Sequence, residues 1–295
     1  MFDFCLHVFT LACLYGLMAL ALNLQAGYAG LLNFGHIAFA GVGAYAVGIG
    51  HLRGWPLPLS MLAGVLVAMA LGALVARLGR QLASDYWGIA TLAVAEILRI
   101  VALNQGDFTG GAQGISALPG PLDALPGAAQ SLGYAALGLA TLLATAWLSA
   151  RLAGARYGRA LRLLREQPAL ACCLGYDPGR LKRSATMASA AIAALAGSLL
   201  AGYTHFVSPD YLLAAQTFLV WSMLMIGGSG RVAGVLLGTL LVQAAYSFVP
   251  LARDALGLGS DSVGALRLGL IGGLLLACLL WRSAGLLPEQ LRKLP

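Results

Sequence analysis

Nine apolar windows run along the chain, at 4–24, 28–50, 56–76, 86–104, 130–151, 184–205, 212–228, 232–250 and 264–281, with charges, prolines and glycines gathered between them. Crossing a hydrocarbon layer of ~30 Å takes roughly 20 mostly apolar residues as helix. A helix is also the simplest segment that satisfies its own backbone in lipid. The pattern therefore predicts an all-α fold, a polytopic membrane helical bundle of about nine transmembrane helices (8 to 10), forming a single domain over 1–295. The first window, FCLHVFTLACLYGLMALALNL, has no basic residue before it and no small-x-small cleavage site after it, which reads as a retained span and not a signal peptide.

Between the fifth and sixth windows the period changes. In RYGRALRLLREQPALACCLGYDPGRLKRS, a helical projection puts Arg159, Arg162 and Arg165 on one arc and Ala160, Leu161, Leu163 and Leu164 on the opposite one, an amphipathic helix. Pro168 interrupts it, a second short run follows, and Gly175 offers a stop before the turn signal Asp177-Pro178-Gly179. Two short helices in a bent arrangement are expected near 158–175. They suit either a basic surface lying on membrane lipid headgroups or a docking element for a partner.

Composition agrees with the windows: 60% of the 295 residues are hydrophobic, 10% are charged and mean hydropathy is +0.84. Positively charged loops stay cytoplasmic, and the segment from Arg151 to Arg183 holds eight of the 18 lysines and arginines. Counting spans outward from it puts Arg77, Arg80, Arg231, Arg282, Arg292 and Lys293 on the same side, with Arg53, Arg99, Arg253 and Arg267 at or towards the other. The nine-span count thus segregates basic residues fourteen to four, with the N-terminus outside and the C-terminus cytoplasmic. The net charge of +7 reflects this topology, and with no soluble basic domain it does not point to nucleic acid. Cys5, Cys13, Cys172, Cys173 and Cys278 lack CxxC spacing and read as small apolar fillers with reduced thiols. His7, His36, His51 and His205 are scattered without ligand spacing, so no metal site is expected.

Polar residues inside apolar windows mark candidate chemistry. In GYAGLLNFGHIAFAGVGAYAVGIG, Gly27, Gly30 and Gly35 weaken a helix beside Asn33 and His36, which predicts a broken or re-entrant element near 27–50 that lines the translocation path. The alternative is that Asn33 and His36 are hydrogen-bonding glue between close-packed helices. Glu96 and Arg99 lie three residues apart, share a helix face and are expected to pair beside a cavity. The long loop 104–130, with Asp107 and Thr109, and the segment FVSPDY with Asp210, fall outside as candidate contacts for an external partner. Gly227-Gly228-Ser229-Gly230 reads as a tight turn, since Arg231 replaces the last glycine of a hydrolase elbow. Gly230, Gly234 and Gly238 then form overlapping GxxxG steps for helix packing.

The stretches LNLQAGYAGLLNFGHIAFAGVGAYA, SDYWGIATLAVAEILRIVALN with DFTGGAQGI, GRALRLLREQPALACCLGYDPGRLK, LAGSLLAGYTHFVSPDYL and MLMIGGSGRVAGVLLG occur in that order over most of the length. Together they resemble the LivM-type permeases of the branched-chain amino acid ABC transporter family. Glu166 to Gly175 is similar to a divergent ATPase-contact loop, with Gly175 and Ala171 in place but Leu170 and Ala169 standing where that loop carries an alanine and an acid. The resemblance implies a translocation subunit for branched-chain amino acids or related small polar solutes (amides, urea), with Arg159, Arg162, Leu164, Glu166, Ala171 and Gly175 coupling it to ATPases. It further implies a homologous second permease subunit, two cytoplasmic ABC ATPase subunits, an extracytoplasmic substrate-binding protein and a bacterial inner membrane. No phosphate-cradling GxxxxGK[ST] loop is present, so no cofactor is expected in this chain; ATP and Mg belong to the partner ATPases. A ribose-type sugar permease and an ion-coupled secondary transporter are the alternatives.

Overall fold

The structure is a computed structural model that describes residues 2–79, 84–123, 125–256, 262–281 and 285–289. Arg80, Arg282, Arg292 and Lys293, four of the basic residues used to orient the chain, lie outside the described residues. The fold is all-α apart from one two-residue ladder. In chain order the helices are α1 (Phe2–Asn23), α2 (Ile37–Leu52), α3 (Leu57–Leu78), α4 (Ser84–Asn104), α5 (Gly106–Thr109), α6 (Gly127–Gly154), α7 (Arg156–Glu166), α8 (Pro168–Cys173), α9 (Pro178–Thr204), α10 (Ala214–Gly227), α11 (Val232–Leu256) and α12 (Ser262–Trp281).

Among the described residues, six helical segments are long and apolar enough to cross a membrane: 3–28, 57–78, 86–104, 129–154, 178–204 and 232–250. The other three expected spans come out shorter, as apolar runs at Ile37–Leu52, Ala214–Gly227 and Val263–Cys278. At 1.5 Å per residue the 16 residues of α2 cover roughly 24 Å, less than the hydrocarbon thickness. The window 28–50 loses its first residues to a π-helical turn, Leu24–Tyr28, that prolongs α1, and to a non-helical stretch over 29–36. Likewise α10 starts late, after a 3₁₀ turn at Pro209–Leu212, and ends at Gly227, where Gly228 takes a positive φ of 103°.

At the centre α9 runs between α2 and α3, and the approach is backbone to backbone. A Cβ on Gly43 of α2 would overlap the Ala194 carbonyl of α9, and one on Gly197 would overlap the Ala40 carbonyl of α2. Ser198 Oγ donates 3.0 Å to the Gly43 carbonyl across the same seam. Gly64 and Gly72 bring α3 close as well, though less tightly, to Gly43 and to the backbone at Thr186. Small residues let helices touch where lipid supplies no hydrophobic drive between them. The GxxxG glycines act alike: Gly234 and Gly238 of α11 leave room for the Gly227 and Met223 carbonyls of α10. Helix α1 packs across α6, α9 and α11 and buries Leu17, Ala19, Ala21 and Leu22 completely.

The basic residues divide between the two ends of the bundle. Arg77, Arg180 and Arg183 share a recess at the end that carries α7 and α8. At the far end Arg53 stacks near Trp55 and Phe108, and Ile115–Ser116 (β1) pairs antiparallel with Phe206–Val207 (β2), tying the loop after α5 to the exit of α9. The thiols divide as well: Cys13 and Cys278 fill the interior as expected, whereas Cys5, Cys172 and Cys173 are exposed and fill nothing. Since overpacking a tight seam costs about 1–3 kcal/mol or more, Gly43→Val or Gly197→Val is expected to lower the thermal midpoint in detergent by several degrees. Gly269→Ala on α12, which meets no atom within 4 Å, leaves it unchanged. Fluorescence-detected size-exclusion after heating makes the comparison, and equal midpoints for all three variants contradict the close-approach account.

Candidate functional sites: a polar cavity and an anchored basic helix

Two arrangements gather functional side chains. The first is a cavity of about 370 Å³ in the far-end half of the bundle. Helix α1 gives it His7, Leu11, Tyr15 and Met18; α2 and α9 add Ile37, Gly41, Gly197 and Leu200; the α9–α10 connection adds Ser208, Asp210 and Tyr211. Gln216, Gln243, Tyr246 and Arg267 complete it from α10, α11 and α12. Tyr15 donates 3.2 Å to Gln216 Oε1, and the Arg267 guanidinium sits 4.6 Å from the Tyr246 ring centroid. Gln243 is 1% exposed; its Nε2 donates to Ser247 at 3.3 Å while, among the described residues, its Oε1 has no hydrogen-bond partner, and neither does Nε of Arg267. The volume falls within the range of small-molecule sites.

Asn33 and His36 stand elsewhere. Both are 1% exposed and neither lines this cavity. Asn33 Nδ2 donates to Gln25 Oε1 at 2.9 Å, its Oδ1 accepts the Gly35 N–H at 2.9 Å, and its carbonyl accepts from Trp221 Nε1 at 2.9 Å. His36 Nε2 is 3.2 Å from the Met18 carbonyl. Thr91 and Thr217 accept the Phe34 and Ile37 N–H groups. Freed backbone groups at the break in the helices are thus met by side chains of α4 and α10. The two residues hold the break closed.

Glu96 and Arg99 pair through three contacts of 2.6–3.0 Å, on the face their spacing implied. They lie outside the cavity, with side chains 46% and 23% exposed. Of the far-end candidates, Asp107 is exposed, while Thr109 is buried with its hydroxyl 2.6 Å from the carbonyls of Ala102 and Gln105. Asp210 is exposed and belongs to the cavity wall.

The second arrangement is α7 with α8. Ala160, Leu161 and Leu164 are buried beneath α7 and Arg159 is exposed, as the periodicity implied. Arg162 and Arg165 differ from that expectation, because each finds an inward partner. Arg162 lies 5.2 Å from the Tyr28 ring and 2.6 Å from Glu289 Oε1. Arg165 donates to the Gly27 carbonyl and, at 2.8 Å, to Glu289 Oε2, and also meets Glu166, whose side chain is about half exposed. Burial alone would lower the Arg165 pKa, but the Glu289 and Glu166 carboxylates outweigh it and hold the pKa above the ordinary value. Glu289 reaches them because the 285–289 segment lies along the α10–α11 turn: Leu286 and Leu287 donate to the carbonyls of Ile226 and Gly227, and Gly285 abuts Gly228.

Local chemistry closes α8 as the sequence reading expected. Tyr176 N–H bonds the Ala171 carbonyl and Gly175 N–H the Cys172 carbonyl, with Gly175 at φ +81°, a Schellman end. Asp177 then caps α9, accepting from the Gly179 and Arg180 N–H groups, with Pro178 at the first helical position. Ala171 is wholly buried and Gly175 faces open space.

The sequence reading passed over Glu289, Tyr15, Gln216 and Gln243 and used Arg267 only for orientation. The two glutamines carried a signal, since amides in apolar windows are rare enough to flag. Glu289 carried none.

The chain from 4 to 279 matches the family model described as branched-chain amino acid transport system, permease component. It is 30% identical over 303 residues to the high-affinity branched-chain amino acid transport system permease protein LivM of Escherichia coli K12, covering 95% of this chain and 69% of the relative. To the probable branched-chain amino acid transport permease protein LivM of Methanocaldococcus jannaschii it is 28% identical over 320 residues, covering 94% and 91%. The permease protein LivH of the same system in Escherichia coli K12 is 25% identical over 254 residues, covering 80% and 82%. No solved structure matches. A match across nearly the whole of this apolar helical bundle makes the chain a member of the branched-chain amino acid transport system permease component family.

Proposed function

We propose that this chain is a permease subunit of an ATP-driven importer for branched-chain amino acids or related small polar solutes. It forms part of the translocation path and hydrolyses nothing itself. ATP and Mg²⁺ are handled by two cytoplasmic ATPase subunits, and solute arrives from an extracytoplasmic binding protein that meets the loop around Asp107 and Asp210. Similarity to both LivM and LivH supports a homologous second permease beside it. All nine apolar helices cross a bacterial inner membrane, the three short ones where neighbouring protein covers their ends, with the α7–α8 end in the cytoplasm.

The observation that carries this reading is the α7–α8 element, an exposed bent helical pair on a membrane bundle, rigidly seated through Glu289 and ended by an outward-facing glycine. A helix tied at 162 and 165 to the break at 24–36 passes an ATPase's push into the bundle. Alternating access follows from that connection.

Gly175→Trp is expected to abolish stimulated ATP hydrolysis and solute uptake while membrane insertion persists. The residue sits at positive φ, where a side chain costs about 1 kcal/mol, so Gly175→Asn supplies the strain without the bulk and keeps most activity. If α7 instead rests on headgroups, reversing Arg159 and Arg162 weakens vesicle binding and Gly175→Trp does little. Glu289→Gln, which removes one charge from a mostly buried cluster, is expected to raise hydrogen exchange across 156–166 and reduce stimulated hydrolysis several-fold; unchanged exchange argues against the anchor. With Cys5, Cys172 and Cys173 replaced, Gln167→Cys is expected to label only from the cytoplasm and Gln105→Cys only from outside, and same-sided labelling refutes the nine-span arrangement.

A further inference from the structure

We propose that the 370 Å³ cavity is a binding subsite for the zwitterionic head and aliphatic side chain of an amino acid, an assignment that rests on the importer reading above. Three features of its wall fit that chemistry. Arg267 brings an uncompensated cation into a membrane segment, stacked on Tyr246 and with Nε unpartnered. A guanidinium fork recognises carboxylate in two parallel hydrogen bonds. The opposite charge is provided for by acceptors: Gln243 Oε1, buried and unpartnered because its amide nitrogen already faces Ser247, and the Asp210 carboxylate at the cavity wall. An ammonium group brings three donors and no acceptor, the complement of those two groups.

Part of the wall is apolar. Leu11, Met18, Ile37 and Leu200 offer a surface without donors, suited to a branched aliphatic chain, and Met18 is the adaptable member of that set. A sugar would need neutral hydrogen-bonding groups around its whole ring. Here the Tyr15 hydroxyl is already committed to Gln216 Oε1, and the Thr204 and Tyr211 hydroxyls to one another. A buried, unsatisfied acceptor costs free energy until a ligand meets it, so Gln243 discriminates against any solute without a donor at that point. Selection therefore occurs twice in import, once in the binding protein and again in this subunit.

The test uses the complete importer in lipid nanodiscs, without binding protein, and radiolabelled leucine as probe. Saturable retention is expected, displaced by isoleucine and valine, with leucinamide (no carboxylate) and 4-methylpentanoate (no ammonium) at least tenfold weaker. Arg267→Gln and Asp210→Asn each weaken retention at least tenfold, Arg267→Lys recovers part of it, and Arg53→Gln, a charge removed from the same end of the bundle away from the cavity, binds like the unaltered protein. If leucinamide or 4-methylpentanoate competes as well as leucine, or if both cavity variants retain leucine normally, the assignment is overturned. It is equally overturned if the complex imports leucine with its binding protein yet retains none alone. A complex that assembles with its partners but imports no branched-chain amino acid overturns the importer reading instead, and the subsite with it.

Discussion

Helix α9 meets α2 without side chains between them, because Gly43 and Gly197 leave each backbone open to the other's carbonyls, and the remaining elements are arranged around that seam. In lipid the association of helices rests on dispersion and interhelical hydrogen bonds, both of which decay steeply with separation. The seam is therefore worth most at its closest points, and Ser198 adds a hydrogen bond there. It also places the start of α2. With Ile37 held against α9, the chain leaving α1 must turn before a second full-length helix can begin, and the short α2 and the break at 29–36 follow together. The same strip of small residues opens onto the cavity through Gly41 and Gly197. Close packing and one wall of the cavity come from one stretch of sequence.

The break joins two distant places. On one side Gly27 and Tyr28 receive Arg165 and Arg162 from α7; on the other, Gln25 bonds Asn33, and four residues later Ile37 reaches the cavity wall. Every link is a hydrogen bond, a cation over a ring, or a helix start, with no loose loop between. Irregular backbone at this depth is affordable only while its polar groups are met, which is why Asn33, Thr91, Thr217 and Trp221 converge on eight residues. A displacement of α7 then trades one set of satisfied contacts for another and does not simply bend a hinge.

What could be read from the sequence was local. The buried face of α7, the Pro168 interruption and the Gly175 stop are each determined within a few residues and appear where the chemistry puts them, and the expected turn at Asp177-Pro178-Gly179 comes out as the N-cap of α9. The Glu96–Arg99 pair was legible for the same reason, being a neighbour relation on one helix. Hydropathy located the apolar helices but overstated the length of α2, whereas the glycines of GYAGLLNFG and its Asn33 had already marked the irregular stretch that shortens it. The inward turn of Arg162 and Arg165 depended on Glu289, more than a hundred residues away, with no periodicity to announce it. The cavity was least legible, because His7 and Arg267 belong to opposite ends of the chain and no pattern within either window brings them to one wall.

The anchor on α7 also carries a timetable. Arg165 and Glu289 are 124 residues apart, so at 5–20 residues per second a ribosome makes the second partner on the order of ten seconds after the first. During that interval α6 and α9 already have their sequences in place, while Arg162 and Arg165 have no carboxylate to close on. Any chain released before Glu289 carries a bundle of inserted helices with its basic helix unlatched. The latch on α7 therefore closes only after nearly all of the apolar helices have been made.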